Sequence, residues 1–187
     1  MDVLSTTADS ISIVDAMRRL LNKRKRKSWR YVKRQIERLH TLMAGQSFAP
    51  DVVIGIGREG GLVGALLGVN WRLKPFCVID RDFVFDQHSQ SQNVEVKEML
   101  LVSVYRGKKV LLVDCEVNTG ETLKAAKAFF EQKGASIVRT MALARSKSSR
   151  FLPDYCAVEY TERLFWPWEY TPEIKHLRHH MELKDRR

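Results

Sequence analysis

Three short apolar runs constrain the fold of this chain more than any other feature of its sequence. The runs are DVVIGIG at residues 51–57, KPFCVID at 74–80 and VLLVD at 110–114. Continuous apolar runs of this length are typical of strands that are buried on both faces, as in parallel sheets. Two more strands are predicted at 136–144 and 155–160. Their alternation with helical segments predicts an α/β fold with a doubly wound, mostly parallel sheet.

Apolar residues at helical spacing predict helices at 13–21, 29–43, 60–68 and 119–134. In the second of these helices the expected inward face carries Trp29, Val32, Ile36, Leu39 and Met43. The helix at 60–68 is rich in small residues, which predicts close packing against its neighbours. Residues 82–107 contain the polar tract DQHSQSQN, and we expect a long, mobile excursion there.

Composition indicates one ordinary domain with a hydrophobic core, because 44% of the 187 residues are hydrophobic. No apolar run is long enough to span a membrane, and the N-terminus lacks the basic-then-apolar order of a secretion signal. We therefore expect a cytoplasmic protein without a membrane partner. The three cysteines, Cys77, Cys115 and Cys156, are far apart in apolar segments, which favours reduced thiols and no zinc site.

The positive charge of the chain is concentrated near its N-terminus. Between Arg18 and Arg38 there are eleven Lys or Arg residues and one acid, Glu37, whereas bases and acids balance in the rest of the chain. Such a run is often only a solvated surface. The alternative is a patch that contacts the phosphates of nucleic acid or an acidic partner protein. The sequence leaves both interpretations open.

The segment VLLVDCEVNTGET at 110–122 carries the strongest chemical signal. Asp114 ends a predicted strand, and ligands of parallel sheets bind at the carboxyl ends of the strands. Residues 118–122 can wrap backbone N–H groups and two hydroxyls around a phosphate at the start of the next helix. Asp114 can accept hydrogen bonds from sugar hydroxyls. The pattern suits a phosphorylated sugar, and the alternative is an ordinary strand-to-helix turn.

This segment resembles the phosphoribosyl diphosphate (PRPP) motif of type I phosphoribosyltransferases, in which four apolar residues precede two acids and, three residues on, Thr-Gly-x-Thr. Three more stretches resemble that family, in its order, and in particular the purine- and xanthine-type members of bacteria and archaea. They are SFAPDVVIGIGREGGLVGALLG (47–68), YRGKKVLLVD (105–114) and the aromatic FWPWE (165–169). The resemblance extends from about Ser28 to Glu169.

The resemblance implies a site for PRPP or a nucleoside 5′-monophosphate, with Mg²⁺ as cofactor. Asp114 would hold the ribose hydroxyls and contribute to the metal site, and the segment at 83–97, including His88 and Lys97, would close over the ligand. The diphosphate would meet Arg58, Glu59, Gly60 and Gly61. The 5′-phosphate would meet Thr119, Gly120, Glu121 and Thr122. A base would stack on Phe165, Trp166 and Trp168, whose alternative role is a hydrophobic plug.

Two residues depart from the family pattern. Cys115 replaces the second acid, and Asn118 stands where many purine enzymes of the family have Asp. We place both residues at the PRPP site, Asn118 beside Asp114 as a catalytic position, although a thiol and an amide cannot replace carboxylates. Glu116 would point to the opposite face from position 115, which makes it a poor substitute. On this basis Cys115→Asp is expected to improve PRPP binding.

Two functions follow as expectations. The first is a Mg²⁺-dependent phosphoribosyltransferase acting on a purine-like base or another acceptor. The second is a weakened PRPP-binding or nucleotide-binding regulator whose basic arm contacts nucleic acid or a partner protein. The sequence divides into a basic extension at 1–27 and the main domain at 28–187, with a hood at about 155–187. The resemblance also implies a homodimer.

Overall fold

The computed structural model describes residues 26–71, 76–79 and 104–169. In chain order the helices and strands are α1 (Trp29–Gly45), β1 (Val52–Ile56), α2 (Gly57–Trp71), β2 (Phe76–Ile79), β3 (Lys109–Val117), α3 (Glu121–Gln132), β4 (Ile137–Ser146) and β5 (Tyr155–Tyr160). The predicted helix at 13–21, most of the excursion at 82–107 and the chain after Glu169 lie outside the described residues.

The five strands in the described part of the chain form a parallel sheet in the order β2-β1-β3-β4-β5. Strand order reverses between β1 and β3, because β2 is added on one side of β1 and the later strands on the other. At such a switch point the segments that follow the two central strands diverge to opposite faces and leave a crevice. The predicted α/β fold with a mostly parallel sheet is confirmed, whereas the hood and the basic extension stay predictions. The crevice is expected beside the carboxyl end of β3.

Helices cover both faces of this sheet. On one face α3 buries Leu123, Ala126, Phe129 and Phe130, which join a core cluster with Val110, Leu112, Val138 and Ala142. On the other face Gly61 of α2 approaches the side chain of Val78 on β2. Val78 is in register with Gly55 and Gly55 with Val113, and Val113 points away from Leu112 because strand residues alternate. The sheet is therefore doubly wound.

Element boundaries agree with the sequence except where long-range contacts decide them. β5 has its predicted bounds, and it belongs to the sheet. β3 continues to Val117, three residues beyond its predicted end, because it keeps pairing with β4 through Glu116 and Ala144. α2 begins at Gly57, so the predicted diphosphate loop at 58–61 is the first helical turn.

α1 buries four of the five residues predicted to face inward. Those four are Val32, Ile36, Leu39 and Met43. Trp29 is the exception, with 53% of its surface exposed. Its ring instead lies against that of Trp168, with the centroids 5.6 Å apart. The helical period thus predicts the buried face of α1 correctly along its length but not at its first residue.

The chain divides into two compact units, Lys33–Glu162 and a smaller one that joins Met1–Val32 to Arg163–Arg187. In the smaller unit the Lys27 N–H donates to the carbonyl of Phe165 over 2.7 Å, beside a parallel bridge between Arg26 and Phe165. Arg26 and Lys27, assigned to the extension from the sequence, therefore pair with the C-terminal segment. None of the helices in the described ranges is both long and apolar enough for a bilayer crossing.

Asp154, just before β5, ties the beginning of that strand to β4. Its carboxylate accepts hydrogen bonds from Arg139 Nη1 at 2.5 Å, from the Thr140 N–H at 2.8 Å and from Thr140 Oγ1 at 2.9 Å. Burial opposes ionisation of Asp154, but these hydrogen bonds and the charge of Lys127 outweigh it, and the pKa of Asp154 lies below its usual value. The ionised carboxylate therefore stabilises the folded state.

Replacing Asp154 with Asn should lower the free energy of unfolding by about 2 kcal/mol at pH 7, because hydrogen bonds between charged groups are lost. An acid whose pKa is lower in the folded protein stabilises the fold fully above its pKa in the unfolded chain, which is about 3.9 for Asp. This stabilisation is lost as the pH falls through the pKa of the folded state. Urea unfolding of both proteins between pH 7 and pH 2.5 measures this. The difference should shrink in acid, and a difference independent of pH would contradict the assignment.

Candidate active site

Asp114 lies near the carboxyl end of β3, the central strand of the sheet, beside the crevice. Its side chain is half-buried, and its Oδ1 accepts the N–H of Cys115 over 2.7 Å, which fixes the carboxylate against the backbone. Burial alternates along the strand: Asp114 and Glu116 are partly exposed, whereas Cys115 and Val117 are buried. The pairing register with β4 is unbroken from Asp114 to Val117. Asp114 and Glu116 therefore share one face of the strand.

The turn after β3 connects it to α3 through Gly120. Asn118 and Thr119 are exposed, and Gly120 is buried with φ 92° and ψ −2°, in the left-handed region that favours glycine. Gly120 is also the N-cap of α3, so no side chain caps the helix there, and the Glu121 N–H approaches Thr119 Oγ1 at only 3.5 Å. The positive end of the α3 dipole thus faces the turn, as phosphate binding requires.

The first turn of α2 lies directly against Asp114. A β-carbon on Gly60 would be 2.6 Å from the carbonyl oxygen of Val113 and 3.2 Å from Cα of Asp114, so only glycine permits this approach. Arg58 and Glu59 are exposed on the same turn. The first backbone N–H groups of a helix have no partner within it and can bind an anion. The structure thus brings the predicted diphosphate segment and Asp114 together.

Cys115 does not share the placement of Asp114. Its side chain is buried, with 1% of its surface exposed, on the face of β3 opposite Asp114. Strand alternation explains this, because β3 continues through Val117 and does not end at residue 114. The structure therefore argues against the predicted contact between Cys115 and PRPP, and a small thiol at this position satisfies packing.

The expectation that Cys115→Asp improves PRPP binding is accordingly reversed. A carboxylate at this buried position has no room to reach solvent, so we expect the variant to lose about 3 kcal/mol of stability or to take up a proton. Thermal unfolding of Cys115→Asp beside Cys115→Asn measures the effect of charge at nearly constant volume. Equal stability of the two variants would show that position 115 opens to solvent.

Glu116 lies closer to the candidate site than the sequence predicted. It does point away from the face of Cys115, as expected, but that places it on the face of Asp114. It also forms a hydrogen bond with Tyr160 of β5. Burial of Tyr160, followed by the charge of Glu116, raises the pKa of Tyr160 to about 12. Tyr160 therefore keeps its proton at neutral pH, and Glu116 is a second carboxylate beside the crevice.

The aromatic residues of the predicted base site pack on one another within the smaller unit. Trp166 and Trp168 stack in parallel, with centroids 5.3 Å apart and 4° between planes, and Tyr31 lies 6.4 Å from Trp166. Trp166 has only 1% of its surface exposed, whereas Phe165 and Trp168 are partly exposed. For Trp166 this arrangement favours the plug, and base stacking on Phe165 and Trp168 stays a prediction.

The remaining predicted site residues lie outside the described ranges. They are His88 and Lys97 in the segment at 83–97, and the basic residues Arg18, Arg19 and 23–25. Within residues 26–71, 76–79 and 104–169 no group of three or more His, Cys, Asp and Glu side chains could hold a metal ion. On this face of β3, Asp114 is the carboxylate against whose backbone the first turn of α2 packs.

Sequence comparison identifies a relative and a family. The chain is 32% identical over 98 residues to adenine phosphoribosyltransferase of Bordetella pertussis, an alignment that covers 50% of this chain. This chain spans about half the length of that relative, 54%. Residues 23–174 match the phosphoribosyl transferase domain. That match covers most of the chain, including all the described elements.

Solved structures agree with this assignment. The fold is similar to that of purine phosphoribosyltransferase from Pyrococcus horikoshii, with a TM-score of 0.61, 25% identity, and coverage of 78% of this chain and 93% of that chain. It also resembles the xanthine-guanine-hypoxanthine phosphoribosyltransferase of Helicobacter pylori in fold, at a TM-score of 0.61, 16% identity, and coverage of 83% and 98%. The sequence motifs, the crevice and these matches together show that the chain belongs to the phosphoribosyl transferase domain family.

Proposed function

We propose that this chain is a phosphoribosyltransferase that transfers the phosphoribosyl group of PRPP to a nitrogen of a purine-like base. The close approach of Gly60 to Val113 and Asp114 carries the proposal. This approach places the start of α2, which suits a diphosphate, beside the carboxylate of Asp114, which suits a ribose. The Thr119–Gly120 turn comes directly after β3, the strand that carries Asp114. PRPP has its three parts in that order: diphosphate, ribose and 5′-phosphate.

The role of each site residue follows from the charge that develops during the transfer. Transfer forms a bond between the acceptor nitrogen and the anomeric carbon of ribose, and it breaks the bond to diphosphate, which leaves with the electron pair. Positive charge develops on ribose, so the fixed carboxylate of Asp114 favours that state and also holds the hydroxyls. Asn118 can orient the acceptor through its amide but cannot take its proton, which passes to diphosphate or to water.

Mg²⁺ fits the donors of this crevice. Asp114 supplies a carboxylate oxygen, and Mg²⁺ is usually held by one or two carboxylates together with substrate phosphates and water. Bound there, the ion would neutralise charge on the diphosphate. The Asp114 carboxylate is held for such a role by the N–H of Cys115.

Release of diphosphate from PRPP tests the proposal. We expect release that requires both Mg²⁺ and a base, measured with adenine, guanine, hypoxanthine and xanthine in turn, and no release with EDTA present. The nucleoside 5′-monophosphate formed in the productive reaction identifies the acceptor. Tight PRPP binding without release for any base would instead favour a PRPP-binding regulator.

A PRPP-binding or nucleotide-binding regulator is the second candidate, and the surface of α1 supports it. The helix exposes Arg30, Lys33, Arg34 and Arg38, and its acid Glu37 lies 4.0 Å from Lys33. Arginines at positions 30, 34 and 38 are spaced by four residues, so they follow one side of the helix. A row of this kind suits the phosphates of nucleic acid. Cys115 and Asn118, which lack the family's carboxylates, also favour a loss of turnover.

Salt dependence tests the basic surface. If α1 contacts phosphates, the affinity for RNA or DNA should fall steeply with salt, with a slope of about 0.9 per phosphate contacted in duplex DNA. The variant Arg30→Ser, Arg34→Ser, Arg38→Ser should flatten that slope, while Lys108→Ser, an exposed lysine before β3, should not. Salt-independent or absent binding would leave a protein-docking face or a solvated surface.

A further inference from the structure

The loop between β4 and β5 contacts the turn that precedes α3. Ser149 Oγ lies 3.1 Å from the carbonyl oxygen of Thr119 and 3.2 Å from that of Phe151, and it accepts the Phe151 N–H over 3.3 Å. Phe151 packs directly on Gly120, since a β-carbon on Gly120 would lie 2.1 Å from Cβ of Phe151. Two neighbouring residues of the turn are thus held by one loop.

We propose that Ser149 is a positioning residue for the phosphate turn, acting through the Thr119 carbonyl on the N–H of Gly120. The peptide unit between Thr119 and Gly120 is planar and trans, so its N–H and its carbonyl point in opposite directions. The Ser149 hydroxyl carries one proton, which we assign to the Thr119 carbonyl at 3.1 Å and not to the Phe151 carbonyl at 3.2 Å. That hydrogen bond draws the Thr119 carbonyl toward the β4–β5 loop, so the Gly120 N–H is directed away from that loop. We place the 5′-phosphate on that side of the turn.

Arg145 of β4 anchors the β4–β5 loop. Its guanidinium is buried, donates to the Ser149 carbonyl over 3.1 Å through Nη1, and pairs with Glu159 of β5 through Nη2. The Ser149 N–H also donates to the Ser146 carbonyl over 3.0 Å. The loop is therefore anchored on β4 and β5 independently of the turn. An anchored partner can impose a direction on the Thr119 carbonyl, which an unanchored loop could not.

This inference rests on the proposed function, because it requires that the turn at 118–122 binds the 5′-phosphate of PRPP. It adds a specific consequence for that site. A residue that aims one N–H at the 5′-phosphate should affect ligands with that phosphate and leave the diphosphate turn of α2 unaffected. A residue that merely stabilised the fold would weaken both kinds of ligand.

Calorimetric titration of the full chain separates these cases. Ribose 5-phosphate and inorganic diphosphate with Mg²⁺ are the two probes, and thermal unfolding is recorded for each protein. Ser149→Ala should weaken ribose 5-phosphate binding by roughly tenfold, the value of one hydrogen bond, and leave diphosphate binding unchanged. Ser149→Thr keeps the hydroxyl and should restore binding.

Ser148→Ala is the matched control, because Ser148 Oγ contacts Ser146 Oγ at 2.7 Å in the same loop and no bond to Thr119 is seen in the described residues. It should bind both probes as the parent does. Equal loss of both probes in Ser149→Ala, or equal behaviour of Ser149→Ala and Ser148→Ala, would overturn the inference while the parent still binds. If the parent binds neither probe nor PRPP, the proposed function fails and the inference with it.

Discussion

Gly120→Ala is expected to weaken PRPP binding by roughly a hundredfold or more, the largest effect of any single substitution in the site. At φ 92° a residue with a β-carbon costs about 1–2 kcal/mol. The new β-carbon would also lie 2.1 Å from Cβ of Phe151, so the turn or the loop must move. Either movement displaces the N–H groups that would hold the 5′-phosphate. Calorimetric titration with PRPP and Mg²⁺ measures the loss.

Gly134→Ala separates strain from displacement of the site. Gly134 follows α3 at its other end, has φ 96°, and its added β-carbon would meet only Arg106 Cγ at an ordinary 3.6 Å. The backbone cost is therefore similar, without a clash. We expect Gly134→Ala to lose stability yet bind PRPP as the parent does. If both variants bound PRPP equally well, the turn at Gly120 would not be the phosphate site.

Asp114→Asn is expected to lower kcat/KM for phosphoribosyl transfer by about a hundredfold. The amide keeps the shape of the side chain but loses the negative charge that favours positive charge on ribose. Losing one or two charge-assisted hydrogen bonds accounts for about 3 kcal/mol, which is roughly that factor in rate. Steady-state diphosphate release with the preferred base measures it.

Asp51→Asn is the control at the opposite edge of the sheet, because Asp51 precedes β1 and contacts the first residue of β3. Asp51 Oδ2 accepts the N–H of Lys109 over 2.8 Å where β3 begins, far along the strand from Asp114. The same chemical change there should alter stability slightly and leave kcat/KM unchanged. An Asp114→Asn variant with full activity would remove Asp114 from the reaction.

The sequence predicted the strands of the sheet well because each strand has a recognisable pattern in its own residues. β1 is a short apolar run between Asp51 and Gly57, and all five of its residues are buried, as their composition predicts. β5 has the predicted bounds, although only Tyr155 and Ala157 of its six residues are buried. The end of β3 could not be predicted in this way. Residues 115–117 continue the strand because Ala144 and Arg145 of β4 lie beside them, and nothing local to Cys-Glu-Val signals that partner.

That boundary changed the interpretation of the site. If β3 ended at Asp114, as predicted, Cys115 would stand where the family has its second acid and Glu116 would point away from the site. With β3 continuing, alternation buries Cys115 and sets Glu116 on the face of Asp114. The sequence pattern thus singled out the segment and Asp114, which the structure sets beside the first turn of α2, while the direction of the next two side chains depended on strand pairing.

The contacts that support the turn at 118–122 could not be predicted from the sequence, for a different reason. Ser149 and Phe151 lie in the polar stretch KSSRF, about thirty residues after Thr119, and such stretches are typical of solvated loops. Only the adjacency of β3 and β4 in the sheet brings them to Gly120. Contacts of this kind depend on topology, whereas the Thr-Gly-x-Thr pattern is local and therefore readable.

Titration of PRPP in the presence of Mg²⁺, into the parent and into Gly120→Ala side by side, tests the central claim most directly. The claim is that the crevice formed by the first turn of α2, Asp114 and the Gly120 turn binds PRPP. We expect saturable one-site binding to the parent and a loss of roughly a hundredfold or more in the folded variant. Absence of PRPP binding to the parent, or binding that the variant retains in full, would contradict the account.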